Sequence, residues 1–119
     1  MNQSMIEMMA EAKNTVPAIS PGDAAQLLAA GSAIALDVRN DIELAQTGKV
    51  AGALHIPLDQ VPARHASALD KNKTILLYCA SGGRSALAGK FLHDNGYGDV
   101  RNLGGFSDWA NSGGAVEPA

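Results

Sequence analysis

Short apolar runs alternate with helical patterns along most of the chain. The runs predict strands at 33–38, 53–56, 73–78 and 99–103. Between and after them, capping residues and apolar residues at helical spacing predict helices within 20–31, 58–69, 85–95 and 106–111. Strands that alternate with helices are typical of an α/β domain, here with a mainly parallel central sheet flanked by helices on both faces.

A separate short helix is predicted near the N-terminus from apolar residues about one turn apart: Met5, Met8, Met9 and Ala12. We expect this amphipathic helix to pack on the body of the domain, although a stripe that binds a partner has the same pattern. The predicted organisation is therefore a helical extension at 1–14 and one domain at 15–119. Near the other end, Gly113 and Gly114 predict a flexible tail.

Composition narrows the range of functions. A chain of 119 residues has the length of one domain. Its net charge of −3 lacks the basic footprint of a nucleic-acid-binding protein. No apolar run approaches the roughly 20 residues needed to cross a bilayer. Glu7 and Glu11, without an early Lys or Arg, do not fit a secretory signal. We therefore expect a cytoplasmic protein without nucleic-acid or membrane partners.

Cysteine and histidine usage argues against metal chemistry. Cys79 is the only cysteine, so the chain has neither an internal disulfide nor a multi-cysteine zinc site. No pair among the three histidines has the spacing of metal ligands. His55 is predicted to be a hydrogen-bonded core residue, and His65 and His93 to lie on helix surfaces without a role. We expect no metal and no cofactor.

The stretch from Cys79 to Ser85 carries the candidate chemistry. It joins the strand at 73–78 to the helix at 85–95, and ligands of open α/β sheets bind beyond the carboxyl ends of strands. The small residues that follow the cysteine allow backbone N–H groups to surround an anion: Ala80, Ser81, Gly82 and Gly83. The helix N-terminus and the Arg84 guanidinium add positive charge. Each of these features lowers the pKa of a thiol and favours a nucleophilic thiolate.

Two structural readings remain open for this stretch. Cys79 could simply end a buried strand, with the two glycines making a tight turn. The hydroxyls of Ser81 and Ser85 could bond to a substrate, or they could serve the turn and the helix cap.

Four segments in this order resemble a single-domain rhodanese, a sulfurtransferase-type domain, over about residues 19–115. They are Asp37-Val38-Arg39 followed by Glu43, the segment 48–57, the loop from Cys79 to Arg84, and the segment 97–109. One departure is Lys49, where members of the family frequently have histidine. Because that position lies outside the loop, we expect little effect on the chemistry.

The resemblance implies that Cys79 takes a sulfane sulfur from a donor such as thiosulfate, holds it as a persulfide, and passes it to cyanide or a thiol. Arg84 would bind the small anionic donor, and residues 80–83 would contribute backbone amides. Asp37 and Arg39 are expected near the loop, paired either with each other or with its backbone. Because no second cysteine can resolve a persulfide, the acceptor must be another molecule, small or protein.

Two other functions use related sequences. Cysteine-based phosphatases and arsenate reductases related to this fold have five residues between cysteine and arginine, whereas this chain has four and no Asp among them. The smaller ring suits one sulfur atom better than a bound oxyanion. Non-catalytic rhodanese-like interaction modules often lack the cysteine, which this chain keeps. Sulfur transfer is therefore the favoured prediction.

Overall fold

The computed structural model describes residues 4–119. Its strands are Ala33–Asp37 (β1), Lys49–Val50 (β2), Leu54–His55 (β3), Thr74–Cys79 (β4), Val100–Gly105 (β5) and Val116–Glu117 (β6). Its helices are Met5–Thr15 (α1), Pro21–Ala29 (α2), Asp41–Thr47 (α3), Val61–Ala68 (α4), Gly83–Asp94 (α5) and Phe106–Asn111 (α6), with a short 3-10 turn at Leu58–Gln60. None of the helices within 4–119 is both long and apolar enough to span a membrane.

Four strands form a parallel sheet in the order β3-β1-β4-β5. Asp37 at the end of β1 is in register with Tyr78 of β4, and Cys79 is in register with Gly105 of β5. The carboxyl ends of these three strands therefore meet at one edge of the sheet, where a ligand of an open α/β sheet is expected. The prediction of a mainly parallel sheet is confirmed.

The central strand β4 is buried on both faces. Ile75, Leu77 and Cys79 contribute to a core with residues of α4 and α5 and with Val16, which follows α1. Leu76 and Tyr78 point to the opposite side and pack in a second core with residues of α2 and α6. This alternation explains why the strand is a continuous apolar run, and it confirms that helices cover both faces.

Helix α1 packs closely on α5. Ala12 is buried, and the methyl groups of Val16 lie 3.0 and 3.1 Å from the place where a Cβ on Gly89 would stand. At the other end of the contact, the Met9 sulfur occupies the space beside Gly83. The predicted packing of the first helix on the body is therefore confirmed, although residues 1–3 of the predicted extension lie outside the described residues.

The prediction of a flexible tail is wrong. Strand β6 pairs antiparallel with β2, and the Lys49 ammonium lies 2.7 Å from a carboxylate oxygen of Glu117. The Trp109 indole N–H donates to the Ala115 carbonyl at 2.9 Å, and Gly114 lies so close to the Trp109 ring that a Cβ there would overlap it. The glycines therefore let the chain turn tightly around the tryptophan.

Helix α3 is the one helix of residues 4–119 that the hydrophobic pattern does not predict. It begins with a capping box: the Asn40 side chain accepts from the Glu43 N–H, and the Glu43 carboxylate accepts from the Asn40 N–H. The helix has seven residues, and only Leu44 among them is buried. A single buried position does not produce a periodic pattern of apolar residues in the sequence. Its importance is positional, because it brings Glu43 to the edge of the sheet that holds Cys79.

Candidate active site

Cys79 is the last residue of β4, and its side chain lies beneath the turn that leads into α5. The residue is 1% exposed, and its Sγ accepts a hydrogen bond from the Gly82 N–H at 3.0 Å. Gly82 has a φ of +96°, in the left-handed region that side chains other than glycine rarely occupy. The turn back toward the sulfur therefore depends on glycine at this position.

The loop around Cys79 favours its ionised form. Burial raises the pKa of the Cys79 thiol, but hydrogen bonds from the hydroxyl and amide of Ser85 and the amides of Ser81 and Gly82 outweigh it. The net pKa is lower than that of an ordinary cysteine. Donors that point at a sulfur from several directions stabilise its charged state, so the surroundings of Cys79 favour the thiolate over the thiol.

A buried asparagine that the sequence analysis does not single out forms hydrogen bonds with the Cys79 loop. Asn102 lies on β5, and its Oδ1 accepts from the Ser85 hydroxyl at 2.8 Å and from the Gly104 N–H at 3.0 Å. Its Nδ2 donates to the Gly82 carbonyl at 3.0 Å. The sequence shows a polar residue within a predicted strand, but it does not show that this strand pairs with the strand carrying the cysteine.

The end of β5 fits tightly against the loop. A Cβ on Gly105 would stand 2.6 Å from the carbonyl oxygen of Ala80, which is too close for any side chain. Gly105 therefore serves close packing against the backbone of the loop. Any larger residue would push the Ala80 peptide, and with it the amides that follow Cys79.

Arg84 lies in the first turn of α5 and forms a bidentate ion pair with Glu43. Its two terminal nitrogens lie 2.7 and 2.8 Å from the two carboxylate oxygens. The pair is partly exposed, with 30% of the arginine side chain and 25% of the glutamate side chain accessible. The hydrogen bond with Glu43 raises the pKa of Arg84, and the Cys79 sulfur adds to this in the same direction, so the guanidinium and the sulfur are close enough to interact electrostatically.

Asp37 and Arg39 pair with each other. Their closest atoms are 2.7 Å apart, the side chains are 0% and 3% exposed, and the guanidinium lies 4.5 Å above the Phe106 ring. Arg39 also donates to the Thr47 hydroxyl and the Gly48 carbonyl. Of the two arrangements predicted for this pair, the structure therefore has the mutual one, and it ties the end of β1 to the end of α3.

Two small cavities flank the Arg84–Glu43 pair. One, of about 210 Å³, is lined by Arg39, Glu43, Gln46, Thr47, Ala80, Phe106 and Ser107. The other, of about 330 Å³, is lined by Val38, Asn40, Pro57, Leu58, Asp59 and Arg84. A larger groove of about 600 Å³ lies between α3 and the C-terminal segment but includes no residue of the Cys79 loop. The two smaller cavities, which include Arg84 and Ala80, are therefore the candidate places for a ligand of the Cys79 loop.

Two of the three histidines, His55 and His65, make structural contacts in this fold. The His55 Nε2 lies 2.6 Å from the Arg39 carbonyl, in agreement with a hydrogen-bonded residue, although the ring is only half-buried. His65 was predicted to be a surface residue, and this is wrong: it is half-buried, and its Nδ1 lies 3.1 Å from the Tyr97 hydroxyl. His93 is exposed as predicted.

Known proteins share both the sequence and the fold. The chain is 43% identical over 76 residues to the thiosulfate sulfurtransferase PspE of Escherichia coli, covering 63% of this chain and 72% of that protein. It is 40% identical over 79 residues to a sulfurtransferase of Allochromatium vinosum, covering 66% and 72% of the two chains.

A solved structure extends the likeness to almost the whole chain. A protein of unknown function from Rhodopseudomonas palustris, described as a possible tyrosine phosphatase, superposes with a TM-score of 0.84 at 27% identity, covering 98% of this chain and 96% of that one. The family model of the rhodanese-like domain matches residues 20–112, which include the four-stranded parallel sheet and the whole Cys79 loop. The chain belongs to the rhodanese-like domain family.

Proposed function

We propose that this protein is a sulfurtransferase whose Cys79 carries a sulfane sulfur as a persulfide. The donor is a small anion such as thiosulfate, and the acceptor is cyanide or an external thiol. The hydrogen bond from the Gly82 N–H to the Cys79 sulfur carries the proposal, because it places an amide donor where a negatively charged sulfur is needed. Family membership and relatives named sulfurtransferases support it.

The reaction has two displacement steps at sulfur. The Cys79 thiolate attacks the outer sulfur of thiosulfate, a new S–S bond forms, and sulfite leaves with the electron pair of the bond that breaks. The product is an anionic persulfide on Cys79, which the amides of residues 80–83 and the Ser85 hydroxyl stabilise. Cyanide or a thiolate then attacks the outer sulfur, and the Cys79 thiolate leaves unchanged.

Arg84 binds the anionic donor at the mouth of the loop. Its guanidinium holds Glu43 through two N–H groups, further N–H groups remain for a second anion, and the residue lines the cavity of about 330 Å³. Glu43 therefore holds the guanidinium of Arg84 in one orientation, and its negative charge also weakens the positive field of that guanidinium. Asp37 and Arg39 support this region by securing the backbone between β1 and α3.

The size of the loop favours sulfur transfer over phosphate chemistry. Four residues separate Cys79 from Arg84, and the Gly82 N–H donates to the sulfur itself. A short loop that closes on one sulfur atom leaves less room for a tetrahedral oxyanion above it. An aspartate that could protonate a leaving alcohol is missing from the four-residue loop as well.

Intact-mass measurement after treatment with thiosulfate tests the proposal. We expect an adduct of one sulfur atom on the wild-type chain, its removal by cyanide with release of thiocyanate, and no adduct on Cys79→Ala. Hydrolysis of para-nitrophenyl phosphate without a sulfur adduct would favour a phosphatase. Absence of both activities would favour an interaction module and overturn the proposal.

A further inference from the structure

We propose that Asn102 is a positioning residue for Cys79, and that it acts by sharing the single hydroxyl hydrogen of Ser85 with the cysteine sulfur. The inference adds to the proposed function a residue that does not touch the reacting sulfur. It depends on that function only in taking Cys79 as the reactive group.

The orientation of the Asn102 amide is fixed by its backbone partners. A peptide N–H can only donate and a peptide carbonyl can only accept, so Oδ1 must face Gly104 and Nδ2 must face Gly82. The Ser85 hydroxyl lies 2.8 Å from the same Oδ1 and therefore donates to it. All three contacts are inside the protein, since Asn102 is 8% exposed.

The Ser85 hydroxyl has one hydrogen and lies near two groups that can accept it. Its Oγ lies 3.5 Å from the Cys79 sulfur as well as 2.8 Å from Asn102. While Cys79 is a thiol, its S–H can donate to the Ser85 oxygen, and the Ser85 hydrogen stays on Asn102. When the proton leaves, the hydroxyl turns and donates to the thiolate. Asn102 then keeps the Gly104 N–H on Oδ1, so no buried acceptor is left without a donor.

A neutral amide suits this position better than a carboxylate. An amide oxygen releases the Ser85 hydrogen to a thiolate, whereas a carboxylate accepts it in a stronger, charge-assisted bond. The amide also supplies the Nδ2 donor for the Gly82 carbonyl, which steadies the residue whose N–H contacts the sulfur. Both effects predict that the side chain of Asn102 controls how readily Cys79 ionises.

The ultraviolet absorbance of the thiolate during a pH titration tests the proposal directly, because Cys79 is the only cysteine. We expect Asn102→Asp to raise the Cys79 pKa by about one unit or more, which is about a tenfold loss of thiolate at a fixed pH below both pKa values. Ser85→Ala should raise it too, and the shift in the double variant should be smaller than the sum of the single shifts. Asn95→Asp, at the exposed far end of α5, introduces the same charge and should leave the Cys79 pKa unchanged.

Two results would overturn the proposal. The first is an unchanged Cys79 pKa in Asn102→Asp that unfolds in urea like the wild type. The second applies if Asn102→Asp does not fold: an unchanged Cys79 pKa in Ser85→Ala then removes the residue through which Asn102 acts. Neither measurement requires sulfur transfer, so a shifted thiol pKa without a persulfide would refute the proposed function and leave this inference standing.

Discussion

Two arginines follow neighbouring parallel strands in this fold, and each forms an ion pair with a carboxylate. Arg39 comes two residues after Asp37 at the end of β1, and its pair is almost completely buried. Arg84 follows β4, pairs with Glu43 on α3, and leaves about a third of its side chain exposed. Position beyond a strand end therefore does not decide what an arginine does.

The two guanidinium groups differ in how many of their N–H donors are already hydrogen-bonded within the protein. Arg39 donates to both oxygens of Asp37, to Thr47 and to Gly48, and it lies against the rings of Tyr78 and Phe106. Four of its five N–H groups are hydrogen-bonded within the protein and its side chain is 3% exposed, so little of the guanidinium is left for a further anion. Arg84 uses two of its donors on a carboxylate that water also reaches, so it can accept a second anion.

Removing Arg39 is expected to have the largest effect on stability. In Arg39→Ala, Asp37 remains buried without its partner, and uncompensated buried charges cost about 3–5 kcal/mol. Arg84→Ala should lower the free energy of unfolding by less than about 1 kcal/mol, because its pair is partly exposed. Urea denaturation of both variants measures the two values. Equal losses would contradict the division between a structural and a functional arginine.

Removing Arg84 is expected to have the larger effect on donor binding. We expect kcat/KM for thiosulfate to fall about tenfold or more, because a charge-assisted hydrogen bond contributes about 1.5–3 kcal/mol. The neutral reagent iodoacetamide and its anionic counterpart iodoacetate separate donor charge from thiol reactivity. Alkylation of Cys79 by iodoacetate should slow more than alkylation by iodoacetamide, and equal slowing would contradict the role of Arg84.

The sequence predicts the parts of the molecule that depend on local patterns. The buried strand β4, the start of α2 at Ser20 and the loop after Cys79 each follow from apolar runs, caps and glycines. The pairing of Asp37 with Arg39 is one of the two arrangements that the sequence predicts, because the residues are two positions apart. These features need no knowledge of which strand neighbours which.

The remaining features depend on contacts between distant segments. Glu43 and Arg84 are 41 residues apart, and nothing in the spacing links the capping residue of α3 to the arginine of the loop. Asn102 contacts the loop because β5 pairs with β4, with Leu77 opposite Asn102 and Cys79 opposite Gly105. The two-residue strands β2 and β6 are too short for a periodic pattern, so the ordered C-terminal segment was predicted as flexible.

Removing the charge of Glu43 should strengthen the field of Arg84. In Glu43→Gln the guanidinium loses an anionic partner, and we expect the rate ratio of iodoacetate to iodoacetamide at Cys79 to rise about two- to fivefold, in line with the energy of a partly exposed pair. Asp94→Asn is the matched control, because it removes one carboxylate from an exposed pair with Lys90. A rise of the same size in the control would assign the effect to net charge instead of to Arg84.

The smallest expected effect is the pH dependence of the exposed pair. The hydrogen bond from Arg84 holds the pKa of Glu43 below its ordinary value. A carboxyl with a depressed pKa in the folded state stabilises the protein above its unfolded pKa, and this contribution disappears as the pH falls through the folded value. Wild type should therefore exceed Glu43→Gln in stability by about 0.5–1 kcal/mol at neutral pH, and by less as both are acidified below about pH 4. Urea midpoints of the two proteins across that range measure the difference, and a gap that stays constant would mean that the charge of Glu43 does not produce it.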